Sequence, residues 1–227
     1  MTTTHKKRLN FPLSSLALTS MLFTLPFAGR MTAHASEPES LPLSNLQKSL
    51  SAHFAQGFMP PGEGAPEETT TAGSRRDMWC DGDRAPIRSL MPTQNYGLTL
   101  AAQPTVFLEI PQTVASSVLL VVQNEAGDHN AEAILPIPDA DEYGVVSFQL
   151  PEGAAPLEIG PNYRWSLAVM CDGYLDPSDP FFSGWVQRVE QTPEITQTLA
   201  RLSDSEQLEW LGQNGYWYDM VSLILQL

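Results

Sequence analysis

The chain has 227 residues, 42% of them hydrophobic, with 26 acidic side chains against 12 basic ones and a net charge of −14. That length can bury one sizeable core. Acidity on this scale repels phosphate backbones and anionic lipid, which argues against nucleic acid or a membrane surface as a partner.

Residues 1–35 read as an export signal. His5-Lys6-Lys7-Arg8 precedes a moderately apolar run over 13–28, and Ala33-His34-Ala35 supplies a small-residue cleavage site. Ser14, Ser15, Thr19, Ser20 and Pro26 interrupt the run. It falls short of the roughly 20 apolar residues that span a bilayer. No cysteine lies near the cleavage site, which speaks against a lipid anchor. Cleavage after Ala35 removes Lys6, Lys7, Arg8 and Arg30 and no acidic residue, so 12 basic residues become eight against 26 and the net charge moves from −14 to −18. The expected destination is the periplasm or cell envelope, or the extracellular space, with no membrane span left in the mature chain.

Residues 36–78 are expected to hold a short helix and a linker. Leu46, Leu50 and Phe54 recur at helical spacing over 45–56. Pro60, Pro61, Gly62, Gly64, Pro66, Gly73 and the Thr69-Thr70-Thr71 run then leave neither a hydrophobic period nor helix propensity. The segment is expected to be extended or disordered, gaining order only as it approaches Cys80.

Residues 79–191 carry a β pattern. Val106, Leu108 and Ile110 alternate with Phe107 and Glu109, and residues 118–122 form a continuous apolar run expected to be buried on both faces. Ala133, Leu135 and Ile137 follow, then Val146, Phe148 and Leu150, each set closed by a turn rich in Gly, Pro, Asn or Asp. In Tyr163-Arg164-Trp165-Ser166-Leu167-Ala168-Val169-Met170-Cys171, a period of two puts Trp165, Leu167, Val169 and Cys171 on one face. A further strand falls within 181–191. Short strands at this spacing predict an antiparallel, immunoglobulin-like β-sandwich. Cys80 and Cys171 are the two cysteines, and an even count in an oxidising compartment favours a bridge between them. Closing a loop of about 90 residues would contribute roughly 4 to 5 kcal/mol in the chain-entropy model.

Residues 192–227 switch to helical period. Thr192 caps, Pro193 occupies a position where its missing N–H costs nothing, and Glu194 meets the positive end of the dipole. Ser203 and Glu206 form a capping box for a second helix, expected to stop at Gly212, and Asn214-Gly215 makes the next turn. Trp217, Met220, Val221, Ile224 and Leu225 require the last segment to pack. The two helices beyond Ser203 are expected to form a hairpin docked on the sandwich.

Chemistry is thinly signalled. His53 and His129 are the histidines left after cleavage, and there is no Gly-x-Ser-x-Gly, His-Glu-x-x-His or glycine-rich phosphate loop. An ordinary surface role suits both histidines better than catalysis. Asp81 and Asp83 beside Cys80, and Asp172, Asp176 and Asp179 after Cys171, would share one end of the sandwich if the bridge forms. Their carboxylates could offer oxygen ligands to Ca²⁺. None matches the spacing of a calcium loop, and turn residues bonding their own backbone explain them more simply. Phe181, Phe182 and Trp185, with Trp210 and Trp217, form a candidate aromatic docking surface, expected mainly to seat the terminal helices.

Pro60-Pro61, Gly64-Ala65-Pro66, Gly73-Ser74-Arg75 before Cys80, Ser89-Leu90-Met91-Pro92, Tyr96-Gly97-Leu98-Thr99, Tyr163-Arg164-Trp165, Cys171-Asp172, Gly184-Trp185-Val186-Gln187-Arg188-Val189 and Asn214-Gly215-Tyr216-Trp217-Tyr218-Asp219 stand together in this chain. In combination they resemble the exported cyanobacterial family called domain of unknown function 928, from about residue 60 to the C-terminus. Glu67 and Glu68 depart from the pattern. The resemblance implies export and the cysteine and tryptophan framework, and brings no activity and no catalytic residue. The expectation is therefore a non-enzymatic binding or assembly module for an envelope protein or glycan. Its rivals are a calcium-dependent envelope protein and a hydrolase lacking a recognisable motif.

Overall fold

Alternating apolar residues and turn-forming breaks produce, in the computed structural model, a mainly β chain followed by three short helices. The structure describes residues 57–62, 64–67, 69, 79–83, 85–110, 112–141 and 144–227, so the expected export signal and the helix expected over 45–56 lie outside the described residues. In order come β1 (Arg88–Ser89), β2 (Tyr96–Thr99), β3 (Val106–Glu109), β4 (Ser117–Asn124), β5 (His129–Pro136), β6 (Val145–Phe148), β7 (Asn162–Met170) and β8 (Phe181–Arg188). The helices are α1 (Pro193–Leu199), α2 (Asp204–Gln213) and α3 (Trp217–Ile224).

The strands form a three-stranded sheet, β1-β3-β6, and a five-stranded sheet, β2-β8-β7-β4-β5. All neighbours are antiparallel except β2, which runs parallel to β8 with Tyr96 opposite Trp185. This corrects the expectation of a wholly antiparallel arrangement. The chain leaves β1 in one sheet, turns at Asn95 with φ 53°, and enters β2 in the other, where its direction matches β8.

Val106, Leu108, Val146 and Phe148 from the smaller sheet share one hydrophobic cluster with Val118, Leu120, Val122, Trp165, Leu167, Val169, Phe182 and Val186 from the larger. The predicted parity of the Trp165 strand holds, with Trp165, Leu167 and Val169 fully buried. In β4, however, Val118, Leu120 and Val122 are buried while Leu119 and Val121 are only half-buried. The run is therefore not buried on both faces, because core-facing positions alternate and its second face lies outside the shared core. The predicted bridge is present, with Cys80 and Cys171 sulfurs 2.03 Å apart across a separation of 91 residues.

The helical hairpin docks through its first aromatic residues. Trp165 Nε1 donates to Tyr218 Oη at 2.7 Å, and that hydroxyl donates to the Trp185 carbonyl at 3.0 Å. Trp217 Nε1 donates to the Leu90 carbonyl at 3.1 Å. Two glycines make this approach feasible. A Cβ on Gly97 would lie 2.5 Å from the Trp217 Cβ, and one on Gly184 would lie 2.5 Å from the Trp165 ring. Asp219 ties the hairpin to the end of β2 by accepting from the Leu100 N–H at 3.0 Å.

Two further expectations are corrected. Helix α2 continues past Gly212 to Gln213, and the left-handed residue of the turn is Gly215, φ 78°. Gly212 serves a close approach instead, since a Cβ there would sit 2.6 Å from the Gly57 carbonyl. The described residues of the linker, 57–62, 64–67 and 69 (the strap), are also held in place well before Cys80. Phe58 packs edge-on against Trp217 with centroids 4.9 Å apart, and Met59 N–H donates to Gly212 O at 2.9 Å. Asn162 Nδ2 donates to Gly64 O at 2.8 Å and Asn95 Nδ2 to Thr69 O at 2.9 Å. Backbone carbonyls in a segment with no regular element are satisfied here by asparagine side chains, a pairing that local propensity does not register.

Gly97→Ala should lower stability by about 1–3 kcal/mol through overpacking against Trp217. Gly62→Ala, with open space around it, should stay within about 0.5 kcal/mol of the parent. Urea unfolding of both variants checks the pair.

Burial is the main reason the Asp219 carboxyl is pushed up to about 6, opposed by hydrogen bonds from Leu100 and Thr99. The folded state therefore binds its proton more tightly than the unfolded chain, where the ordinary value is 3.8. The associated stability is fully present below that ordinary value and is lost as pH rises through about 6. Thermal melts should thus show a loss on the order of 2–3 kcal/mol between pH 4 and pH 7.5 from this group. Asp219→Asn should flatten that portion of the profile; an unchanged slope would contradict the assignment.

Candidate functional site

The outer face of the five-stranded sheet is set by register. Ile134 of β5 lies opposite Leu119 of β4, Leu119 opposite Ala168 of β7, and Ala168 opposite Phe181 of β8. Residues directly opposite share a face, so four apolar side chains form a continuous row across four strands. The next row is Glu132, Val121, Ser166 and Ser183. Leu175 and Pro177, in the loop between β7 and β8, wall a groove of about 380 Å³ over Leu119, Val121, Ala168 and Phe181, which Asp176 and the buried Asp179 also line. Ile134 is 64% exposed and Leu175 54%.

The same face is covered at its other corner. Tyr96 is buried there, donating from Oη to Gln187 Oε1 at 3.2 Å, and Gly64 of the strap lies against both side chains. Burial pushes the Tyr96 hydroxyl up to about 12, with the Glu125 carboxylate adding to the effect. Arg164 Nη2 donates to Ser183 Oγ at 3.4 Å between the covered corner and the open row. The strap, β2 and the hairpin thus close one edge of the sheet, and among the described residues no strand pairs with β5 on its other side.

A second concavity, about 240 Å³, sits beside the disulfide. It is lined by Trp79, Cys80 and Asp81 from one segment and by Cys171, Asp172, Asp176 and Asp179 from the other. The bridge does gather these carboxylates, and two of them, Asp176 and Asp179, already hold backbone. Asp179 accepts from the N–H groups of Cys171 at 3.3 Å and Asp176 at 2.8 Å, and Asp176 Oδ1 accepts from Ser178 N–H at 2.8 Å and its hydroxyl at 2.6 Å. The Ser178 hydrogen bonds hold the Asp176 carboxyl below its ordinary value, so it stays ionised. Asp83 does not line the cleft; it accepts from Cys80 N–H at 2.8 Å, Val114 N–H at 2.8 Å and the Thr113 hydroxyl at 3.1 Å. Among the described residues, no group of three or more His, Cys, Asp or Glu side chains is placed to hold a metal ion.

The candidate aromatic residues are distributed over three places. Phe182 is core, and Phe181 lies in the outer groove. Trp185 is half-buried and lends its carbonyl to Tyr218. Trp217 is buried at the hairpin dock, while Trp210 stacks on Tyr216 with centroids 5.5 Å apart. The residues that seat the hairpin most directly are Tyr218, Trp217 and Gly97, of which sequence reasoning singled out only Trp217 as a site. Leu119, Val121 and Ile134 were also missed as surface residues. For Leu119 and Val121 the signal was the unbroken apolar run 118–122, which a strand with one covered face does not need. His53 lies outside the described residues, and His129 opens β5 opposite Gln123.

Because Asp83 carries three hydrogen bonds at the entry to the disulfide, Asp83→Ala should cost about 1–3 kcal/mol in urea unfolding. EDTA should leave the parent midpoint unchanged; a shift with EDTA would show that these carboxylates hold a cation instead.

Comparison with curated proteins finds no match to this chain. A model of the family described as Domain of Unknown Function (DUF928) matches residues 70–227. The matched span begins after most of the strap and takes in both cysteines, all eight described strands and all three described helices. It starts some ten residues later than the Pro60-Pro61 motif suggested. On that match, the chain belongs to the Domain of Unknown Function (DUF928) family.

Proposed function

We propose that this chain is a non-enzymatic binding or assembly module of the periplasm or cell envelope, and that it engages a protein through the open outer face of its five-stranded sheet. The observation that carries the reading is the apolar row Ile134, Leu119, Ala168 and Phe181, exposed at its β5 end and continued by Leu175. A protein that stays monomeric and unpartnered tends to keep such apolar area dispersed. The acidic rim at Asp176 and the chain's overall charge favour a partner with basic residues around an apolar centre. Export is supported by the leader pattern of residues 1–35 and by a long-range disulfide, which persists in oxidising compartments.

An immunoglobulin-like sandwich is the finer fold reading that the topology supports. Orders β1-β3-β6 and β2-β8-β7-β4-β5 correspond to strands A-B-E and A′-G-F-C-C′ of that architecture. The parallel β2–β8 pair occupies the place of A′ against G.

Crosslinked capture from envelope extract is the direct experiment. The mature chain should retain a defined set of envelope proteins, and Leu119→Asp, a substitution on the half-buried outer face, should lose them by at least tenfold while its near-ultraviolet circular dichroism remains that of the parent. Equal capture by Leu119→Asp would overturn the reading.

A further inference from the structure

The strap has no regular structure of its own, and residues far along the chain hold it at points spread over its length. Phe58 packs edge-on against Trp217, Pro61 sits over Gly215, and Pro66 is buried. Between these, Met59 N–H donates to Gly212 O, while Gly64 O and Thr69 O accept from the side-chain amides of Asn162 and Asn95. A Cβ on Gly215 would stand 2.8 Å from the Pro61 ring and one on Gly212 2.6 Å from Gly57 O, so these glycines keep the track clear. Among the described residues no backbone hydrogen bond joins one strap residue to another. The strap owes its path to the groove beneath it, and its departure breaks no structure of its own.

An aromatic contact, prolines over small residues and carbonyls read by donors are the means by which grooves hold extended, proline-containing peptides. The strap fits this groove incompletely. Asn162 is 8% exposed; its Nδ2 donates to Gly64 O at 2.8 Å and to Glu125 Oε2 at 3.3 Å, but its buried Oδ1 has no hydrogen-bond partner. Turning the amide over brings no relief, because Oδ1 would then face two other acceptors. An extended residue directs its N–H and C=O to the same side and so exchanges two hydrogen bonds with one partner. Gly64, with φ 90°, is not extended and gives Asn162 its carbonyl alone. Space is not what excludes a side chain there, since a Cβ on Gly64 would meet Gln187 Oε1 at 3.4 Å and Tyr96 Oη at 3.5 Å, which is ordinary contact.

We infer that the groove along Trp217, Gly215, Asn162 and Asn95 is a binding site for an extended, proline-containing peptide of a partner protein, and that the strap fills it in cis as a replaceable occupant. The preferred peptide carries an ordinary L residue where the strap has Gly64, so that Asn162 is paired through both atoms of its amide. The strap of a second copy has the same glycine and leaves the same oxygen unpaired, so exchange between copies gains nothing over the cis arrangement. Asn162 opens β7 and Ala168 lies near its end, so this groove and the apolar row are separate sites.

The test uses the mature chain, its Phe58→Ala variant and labelled peptides, followed by fluorescence anisotropy and by the side-chain amide signals of Asn95 and Asn162. One peptide has the sequence of residues 57–69, another has Ala in place of Gly64, and the last has L-lactate at that place, which exchanges the N–H for an ester oxygen. Phe58→Ala weakens the cis occupant, whose effective concentration is on the order of millimolar. The Ala peptide should bind Phe58→Ala about tenfold more tightly than it binds the parent. It should also bind about tenfold more tightly than the Gly and lactate peptides, which leave Oδ1 unpaired, and shift both asparagine signals. Equal affinity of the Ala and lactate peptides, or binding that leaves the asparagine signals in place, overturns the inference. So does a failure of every peptide to bind. If Phe58→Ala proves misfolded, the ranking of the peptides on the parent chain decides by itself. Concentration-dependent association of the parent that Phe58→Ala abolishes would give the groove to a second copy and overturn the inference as well.

Discussion

The hydrogen bond from the Trp165 indole to the Tyr218 hydroxyl joins the two halves of the molecule, and most of the architecture follows from the need to bury it. Tyr218 is fully enclosed, and that burial pushes its hydroxyl strongly upward, so it remains a neutral donor to the Trp185 carbonyl at all ordinary pH. A buried polar pair of this kind is tolerable only when each atom has a partner. Space for the two rings comes from Gly97 and Gly184, where any side chain would collide. Gly97 is thereby explained as a packing requirement of a helix that arrives more than a hundred residues after β2, and Gly184 as one of the Trp165 ring on the neighbouring strand.

Closing that dock has consequences at both edges of the larger sheet. The hairpin takes the Leu98 N–H of β2 and the Leu100 N–H just after it, and the strap covers the adjoining corner of the outer face at Tyr96 and Gln187 through Gly64. Nothing comparable stands over β4 and β5 among the described residues. The apolar row from Ile134 to Phe181 reflects this asymmetry among the described residues.

The disulfide acts at a different level. It pins the segment entering β1 to the end of β7, and in doing so brings two acidic stretches around one cleft. Asp83, Asp176 and Asp179 are then employed as local backbone acceptors, which stabilises tight turns and leaves fewer oxygens facing outward. A dense group of carboxylates can thus be a structural consequence of turn formation beside a cross-link.

Much of the fold could be read in the chain itself. Period-two runs marked the strands that build the core, the cysteine count marked the bridge, and Thr192-Pro193 and Ser203 with Glu206 marked the helix starts, because these signals are local and each depends on a few neighbouring residues. The hairpin's need for a partner surface was legible for the same reason, since an isolated hairpin cannot bury Trp217, Met220 and Val221. What the sequence could not supply was which surface does so. The parallel placement of β2, the ordered strap, and the exposed row of Leu119 and Ile134 depend on contacts between residues far apart in the chain. Only tertiary packing decides which face of an apolar strand is covered and which neighbours a strand takes.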